Sequence, residues 1–221
     1  NKAGEISMQF NEFTLTNFGA FRGDGNVLNL TPPSSDRSVV LVGALNGGGK
    51  TTIIEAFQLV LYGKRSKFGR RAKKSSYDDY LRSIRNRYAN PKEPTSLELT
   101  FTVPEDGKSR QYRLKRSWLF DTSKPKEFFH VFVDDALEAD TVLSQTWQDE
   151  VERFLPRRLA NLFFFDGERV ETLADPESSA EVLRTAISSL LGLDVVDRCM
   201  SDLQVACERV NKEAADEGEQ A

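Results

Sequence analysis

Leu41-Val42-Gly43-Ala44-Leu45-Asn46-Gly47-Gly48-Gly49-Lys50-Thr51-Thr52 is an apolar run that enters a glycine loop and leaves it through Lys-Thr-Thr. Upstream, Ser38-Val39-Val40-Leu41-Val42 predicts a short buried strand. Downstream, Thr52 to Leu61 (Thr-Ile-Ile-Glu-Ala-Phe-Gln-Leu-Val-Leu) predicts a helix. Strand, glycine loop and helix in this order are the setting of a phosphate-binding loop. The N–H groups of Gly47, Gly48 and Gly49 can turn inward because no Cβ obstructs them, and so form an anion nest at a helix N-terminus. Lys50 is then expected to reach the β- and γ-phosphates of ATP, and the Thr51 hydroxyl to ligate Mg²⁺, with Asn46 and Thr52 completing the nucleotide-binding set. The usual first glycine of the pattern falls on Ala44, which a tight turn tolerates if its φ stays negative. The alternative is a glycine-rich connection that binds nothing.

Composition narrows the class. At 221 residues, the chain has room for one large domain, or one domain with an extension. Its two cysteines, Cys199 and Cys207, are too few and too close for a disulfide framework or a zinc site. They read as reduced thiols, which fits a cytoplasmic protein. No stretch approaches the roughly 18 apolar residues of a membrane span, and the start of the chain lacks a signal-type apolar core. Residues 1–7 read as a tail outside the fold, either native or an expression remnant.

The net charge of −4 conceals a dipole. Residues 1–133 carry 22 basic and 13 acidic side chains, whereas residues 134–221 carry 8 and 21. Seven of the basic residues fall within eleven positions: Lys64, Arg65, Lys67, Arg70, Arg71, Lys73 and Lys74. Such a run suggests a polyanion partner. Together with Arg110, Arg113, Lys115 and Arg116 it forms a candidate DNA-contacting set that would meet phosphates without reading sequence. A solvated loop, or one paired with the acidic second part, is the competing reading.

Around the loop, Gln9 to Phe21 alternates as a strand, and Gly19, Gly23 and Gly25 turn the chain into a second strand, Asn26 to Leu30. Gly63 caps the helix that follows Lys50. Tyr77 to Tyr88 reads as a short helix or an irregular turn. Leu97, Leu99, Phe101 and Val103, then Tyr112, Leu114 and Trp118, then Phe128 to Val133 predict three hairpin-connected strands. The expected fold is therefore α/β, a P-loop NTPase with a mixed sheet that includes an antiparallel meander. Asp140 opens a helix to Leu155, with Trp147, Val151 and Phe154 on one face, and Pro156 ends it. Leu162 to Phe165 predicts a short buried strand closed by Asp166-Gly167-Glu168. Asp175-Pro176 opens a helix through Leu191. Beyond Gly192, the spacing of Val196, Cys199, Leu203, Ala206 and Val210 gives either a heptad seam that begins a coiled coil or a plain amphipathic helix. The division expected is 8–192 for the nucleotide-binding lobe and 193–221 for the start of the coiled coil.

These motifs resemble the N-terminal half of ABC-type ATPase heads of the SMC, SbcC and RecF kind. The likeness rests on Thr16-Asn17-Phe18, Asn46 to Thr52, Ile53-Ile54-Glu55-Ala56 and Leu61-Tyr62-Gly63-Lys64. Within that group, Leu61 to Arg65, Phe163 to Arg169 and Leu190 to Asp194 are most similar to the DndD ATPases of DNA phosphorothioation systems. The resemblance implies an ATPase that works as a pair of heads. Each head joins this lobe to a C-terminal half that follows a coiled coil, and other proteins of a DNA-modification complex are possible partners. In place of the family's basic residue after Asn-Phe stands Gly19, so a phosphate-contacting cation there would have to be Arg22. Where the family places a metal- and water-binding glutamine stands Asp166, readable as its catalytic equivalent and Mg²⁺ ligand or as a plain Asp-Gly turn. Val131-Phe132-Val133-Asp134-Asp135 imitates a strand ending in an acidic pair, but it lies within the meander. No signature motif or convincing acidic pair follows, and His130 reads as structural. The chain is thus expected to be the N-terminal piece of a longer protein, nearly inactive by itself. Other readings are an ATP-gated scaffold with little turnover and a P-loop phosphotransferase. A GTPase is disfavoured because Asn211-Lys212-Glu213-Ala214 fails the guanine-reading pattern.

Overall fold

Apolar residues recur at alternate positions along three successive strands, and the computed structural model shows those residues forming one side of an antiparallel sheet. The structure describes residues 8–164 apart from 35, 36, 38, 67–75, 91, 106, 121–123, 158, 159 and 161–163. These belong to the first of two compact units, Asn1–Ala160 with Phe164–Asp166. Lys67, Arg70, Arg71, Lys73, Lys74 and Asp166 lie outside the described residues, as do the strand expected at 162–165 and the helices and heptads beyond 175.

Strands β1 (Gln9–Thr16), β2 (Asn26–Asn29), β3 (Thr95–Glu105), β4 (Lys108–Leu119) and β5 (Lys126–Val133) assemble in the order β2-β1-β3-β4-β5. Every pairing is antiparallel. Period-two alternation decides which side each residue occupies. Phe13, Leu15, Leu97, Leu99, Phe101, Tyr112, Leu114, Trp118 and Val131 are buried on the inner face. The three-strand meander is as the alternation predicts. The sheet is not mixed among the described residues, because the segment expected to supply a parallel strand stays out of it. Residues 39–45 form no strand, and Val39 and Leu41 are 73% and 90% exposed. A strand exists only through hydrogen bonds to a neighbour, and no strand among the described residues pairs with that segment.

The inner face is covered by α1 (Lys50–Tyr62) and α3 (Thr141–Phe154), while α2 (Tyr77–Ile84) follows the basic run. Helix α1 buries Ala56 to Tyr62 and stops at Gly63, whose N–H donates to the Leu59 carbonyl. Ser76 and Asp79 form a reciprocal capping box at the start of α2. The Ser76 hydroxyl and N–H both donate to the Asp79 carboxylate and hold it below its usual range. Asp140 caps α3 by accepting from the Leu143 N–H. Trp147 is the hub of the aromatic core, with Phe101, Tyr112, Phe129 and Phe154 ring centroids 6.1–6.4 Å away. Its indole N–H donates to the Leu61 carbonyl at 3.1 Å, tying α3 to the last turn of α1. Among the described residues, no helix is long and apolar enough to cross a membrane.

Candidate nucleotide site

The glycine loop adopts the backbone that its composition calls for. Gly47 has φ 79° and Gly49 φ 92°, ψ 16°, the left-handed region that side chains resist. The Gly48 N–H closes a turn on the Leu45 carbonyl at 2.9 Å, and the Ile53 N–H to Gly49 carbonyl bond opens α1. Ala44 keeps a negative φ, the condition for an alanine to be accommodated there.

No side chain caps the N-terminus of α1, and its first turn contains no acid. A helix start with unpartnered N–H groups and the positive end of its dipole exposed suits an anion. The Lys50 ammonium turns back over the loop, donating to the Ala44 and Leu45 carbonyls at 3.0 and 3.1 Å. The loop's curl therefore already directs Lys50 to the place where phosphate oxygens, as charged acceptors, would bind it more strongly than neutral carbonyls do. Lys50 and Thr51 are exposed, as is the loop from residue 41 to 48. Among the described residues, no group of three or more His, Cys, Asp or Glu could hold a metal ion. The exposed Thr51 hydroxyl, together with phosphate oxygens, is the kind of oxygen donor that Mg²⁺ takes.

A second element supports the loop. After β1, Asn17 takes φ 52° and turns the chain through Phe18 to Gly25. This turn lies directly against the phosphate loop. A Cβ on Gly49 would come within 3.0 Å of the Phe21 ring, and one on Gly19 would collide with the Thr52 Cγ2. Asn17 is almost fully buried. Its side chain donates to the Pro94 carbonyl at 3.1 Å and accepts from the Gly23 N–H at 2.9 Å. Asn86 clamps the same turn from beyond α2, its amide donating to the Gly19 carbonyl at 2.8 Å and its N–H to the Asn17 carbonyl at 2.8 Å. Arg22 projects from this turn, exposed, and its guanidinium makes no hydrogen bond or ion pair among the described residues. The turn and the loop are thus brought together, which puts Arg22 on the element beside the nucleotide loop. Asn86 gave no signal in sequence, lying in a segment read as a helix or an irregular turn.

Replacing Gly19 with alanine is expected to cost about 2–4 kcal/mol of stability, from left-handed strain and overpacking against Thr52, and to weaken nucleotide binding in the surviving fold. Adding Thr52→Ser removes the colliding methyl, and chemical denaturation of the double variant should recover the overpacking part. Failure to recover would show that the contact is not the cause.

The basic candidates do not stay together. Lys64 and Arg65 are exposed just past α1, and Arg65 makes only a loose pair with Asp149 at 3.9 Å. On β4 the four cations divide between the two faces. Arg113 and Lys115 lie on the outer face and share Glu98, at 3.3 and 3.4 Å. Arg110, at the end of the strand, pairs with Glu105. Arg116 points inward and is removed from the DNA-contacting set. Its side chain is 6% exposed, bonded to Glu127, stacked on the Phe129 ring at 4.1 Å, and donating from Nε to the Val60 carbonyl. Alternation carried that signal, since Arg116 shares its parity with Leu114 and Trp118. A cation near the C-terminus of α1 instead complements the helix dipole. The acidic imitation behaves as a turn: Asp134 accepts from the Gln111 N–H and its own N–H returns to the Gln111 carbonyl.

Comparison with curated proteins returned no match. A family model described as an AAA domain matches residues 12–213, which includes the turn after β1, the phosphate loop and all of the sheet but the first three residues of β1. That family consists of P-loop ATPases found in SMC-, RecF- and SbcC-like proteins, which implies nucleotide binding with Mg²⁺ as the usual companion ion. With the glycine nest, Lys50 and Thr51 in place at the head of α1, the chain belongs to the AAA_23 family of P-loop ATPase domains.

Proposed function

We propose that this chain is the nucleotide-binding N-terminal part of an SMC-like ATPase that couples ATP binding, hydrolysis and pairing of two heads to engagement of DNA. The observation that carries the reading is an open nucleotide loop preceded by an apolar segment that forms no strand and stays exposed among the described residues. Val39, Leu41 and Leu45 are 73%, 90% and 87% exposed, immediately before a helix start with no cap. Apolar side chains of this kind favour burial, and an extended backbone needs neighbouring strands. A C-terminal half of the same head would supply those strands, and a second head would supply groups facing Lys50. The N–H groups of Gly47 to Gly49 and the Lys50 ammonium would hold the β- and γ-phosphates, and Thr51 the Mg²⁺. Phosphoryl transfer depends on positioning and charge stabilisation, so a site shared between heads makes turnover report assembly. Lys64 and Arg65, both exposed, mark the start of the basic run that would meet DNA phosphates. The likeness of Leu61 to Arg65 and Phe163 to Arg169 to the DndD ATPases supports a role in DNA phosphorothioation, or in related defence or repair, in the cytoplasm.

Lys50→Ala provides the test. Calorimetric titration with Mg-ATP should show binding weakened about 10- to 100-fold, the worth of a hydrogen bond between charged groups. The thermal midpoint should hardly change, because Lys50 is exposed and bonds only to its own loop. Equal affinity in the variant and the parent chain would overturn the assignment.

A further inference from the structure

The outer face of β5 carries an aromatic row that the nucleotide site does not use. Phe128, His130 and Phe132 alternate on that face, opposite Phe129 and Val131, which point into the core. Phe128 is 41% exposed and His130 is exposed. Their neighbours across the β4–β5 pairing are Ser117, Lys115 and Arg113 respectively. Aromatic residues on a sheet surface are ordinarily stabilised by apolar or aromatic cross-strand partners. Here each faces a hydroxyl or a cation, and Phe128 and His130 are left open to solvent while Phe132 is half-buried. The Arg113 guanidinium already stacks on the Phe132 ring, 3.9 Å from its centroid.

We propose that this face is a stacking platform for single-stranded nucleic acid, with the rings of β5 receiving unpaired bases and Arg113 and Lys115 receiving the phosphates. Flat aromatic groups interleaved with cations are the elements of sequence-tolerant single-strand binding. An antiparallel sheet presenting aromatics from its surface is one established way to splay bases for such contacts. A duplex cannot use the platform, because its bases are stacked on each other and paired. Glu98 sits between Arg113 and Lys115 and engages both, so it competes with phosphate for the same cations. This site rests on the reading of the chain as DNA-associated, yet it uses none of the residues of the basic run from Lys64 to Lys74.

Fluorescence anisotropy of the full chain with a labelled oligothymidylate of about 12 nucleotides, within the range of known single-strand sites, tests the proposal against a hairpin duplex of equal length. Phe128→Ala and His130→Ala should each weaken single-strand binding about tenfold and leave duplex binding unchanged. Glu98→Gln should strengthen single-strand binding several-fold, an effect that no loss of folding could produce. An oligouridylate binding comparably to the oligothymidylate would also support the platform, since stacking is indifferent to the 2′-hydroxyl. Thermal melts of each variant show that the sheet is intact, as expected for side chains on its solvated face. If neither aromatic substitution changes single-strand affinity, or if both strands and duplex lose affinity only when Lys64 to Lys74 are neutralised, the platform is overturned while the broader DNA reading stands. Strand addition of a second copy along the β5 edge, seen as dimerisation that blocks the oligonucleotide, would equally count against it.

Discussion

Truncating Trp147 to alanine should lower the stability of the domain by about 3–5 kcal/mol, the usual cost of removing a large buried aromatic. A further ~1 kcal/mol follows from leaving the Leu61 carbonyl without its donor. The side chain is 1% exposed and lies against four other aromatic rings, so little can collapse into the space it leaves. Its indole bond also fixes the last turn of α1, the helix whose other end carries Lys50. Trp147→Phe retains most of the apolar area and loses the donor with a few ring atoms, so urea denaturation should place it about 1–2 kcal/mol below the parent chain. Equal losses for the two variants would show that the hydrogen bond, not the packing, is what Trp147 contributes. Weakened Mg-ATP binding in Trp147→Ala, measured where the protein is still folded, would show that the core behind α1 positions the phosphate loop.

Glu127→Ala is expected to destabilise by about 3 kcal/mol, the lower part of the range for stranding one member of a buried pair, because Glu127 itself is 26% exposed. The cost arises mainly at Arg116. Its charge is almost fully removed from water, and its Nη2 already lacks a partner. Loss of the carboxylate would leave only the Val60 carbonyl and the Phe129 ring to receive the guanidinium. Tyr77 would lose an acceptor too, since its hydroxyl donates to Glu127 at 3.2 Å. Burial, followed by the Glu127 charge, pushes that phenol well above its ordinary range. Pairing Arg116→Met with Glu127→Gln removes the charge together with its partner, and should recover a good part of the loss. A double-mutant cycle by chemical denaturation measures the coupling. Additive effects would mean that the pair is not a unit. The pair also joins the end of α1 to the start of α2, the two stems between which the basic run lies, so its loss is expected to extend to the elements flanking that run.

The meander was legible because alternation is a local property: Leu97, Leu99, Phe101 and Val103 declare one face without reference to anything else. The caps at Asp140 and Gly63 were equally local, one accepting from the Leu143 N–H and the other returning its own N–H to the Leu59 carbonyl; the Ser76–Asp79 box, though just as local, went unread. The apolar stretch before the glycine loop misled for the opposite reason. Val39 to Val42 has the composition of a buried strand, but strand formation belongs to a pair of segments, and no second segment pairs with it among the described residues. Arg116 misled through its type. A guanidinium in a basic stretch reads as surface charge until its parity places it beside Leu114 and Trp118.

The sequence by itself determined the phosphate loop, since the left-handed positions at Gly47 and Gly49, the ammonium of Lys50 and the uncapped helix start all follow from residues adjacent in the chain. Only the tertiary structure decided what surrounds it. Asn17 and Asn86, 69 positions apart in the chain, meet over the Gly19 turn and press it against Thr52. The hairpin cations separate into a buried strut and an outer-face pair. Those outcomes depend on which segments neighbour one another in space, and that is settled by burial and hydrogen-bond pairing summed over the whole unit.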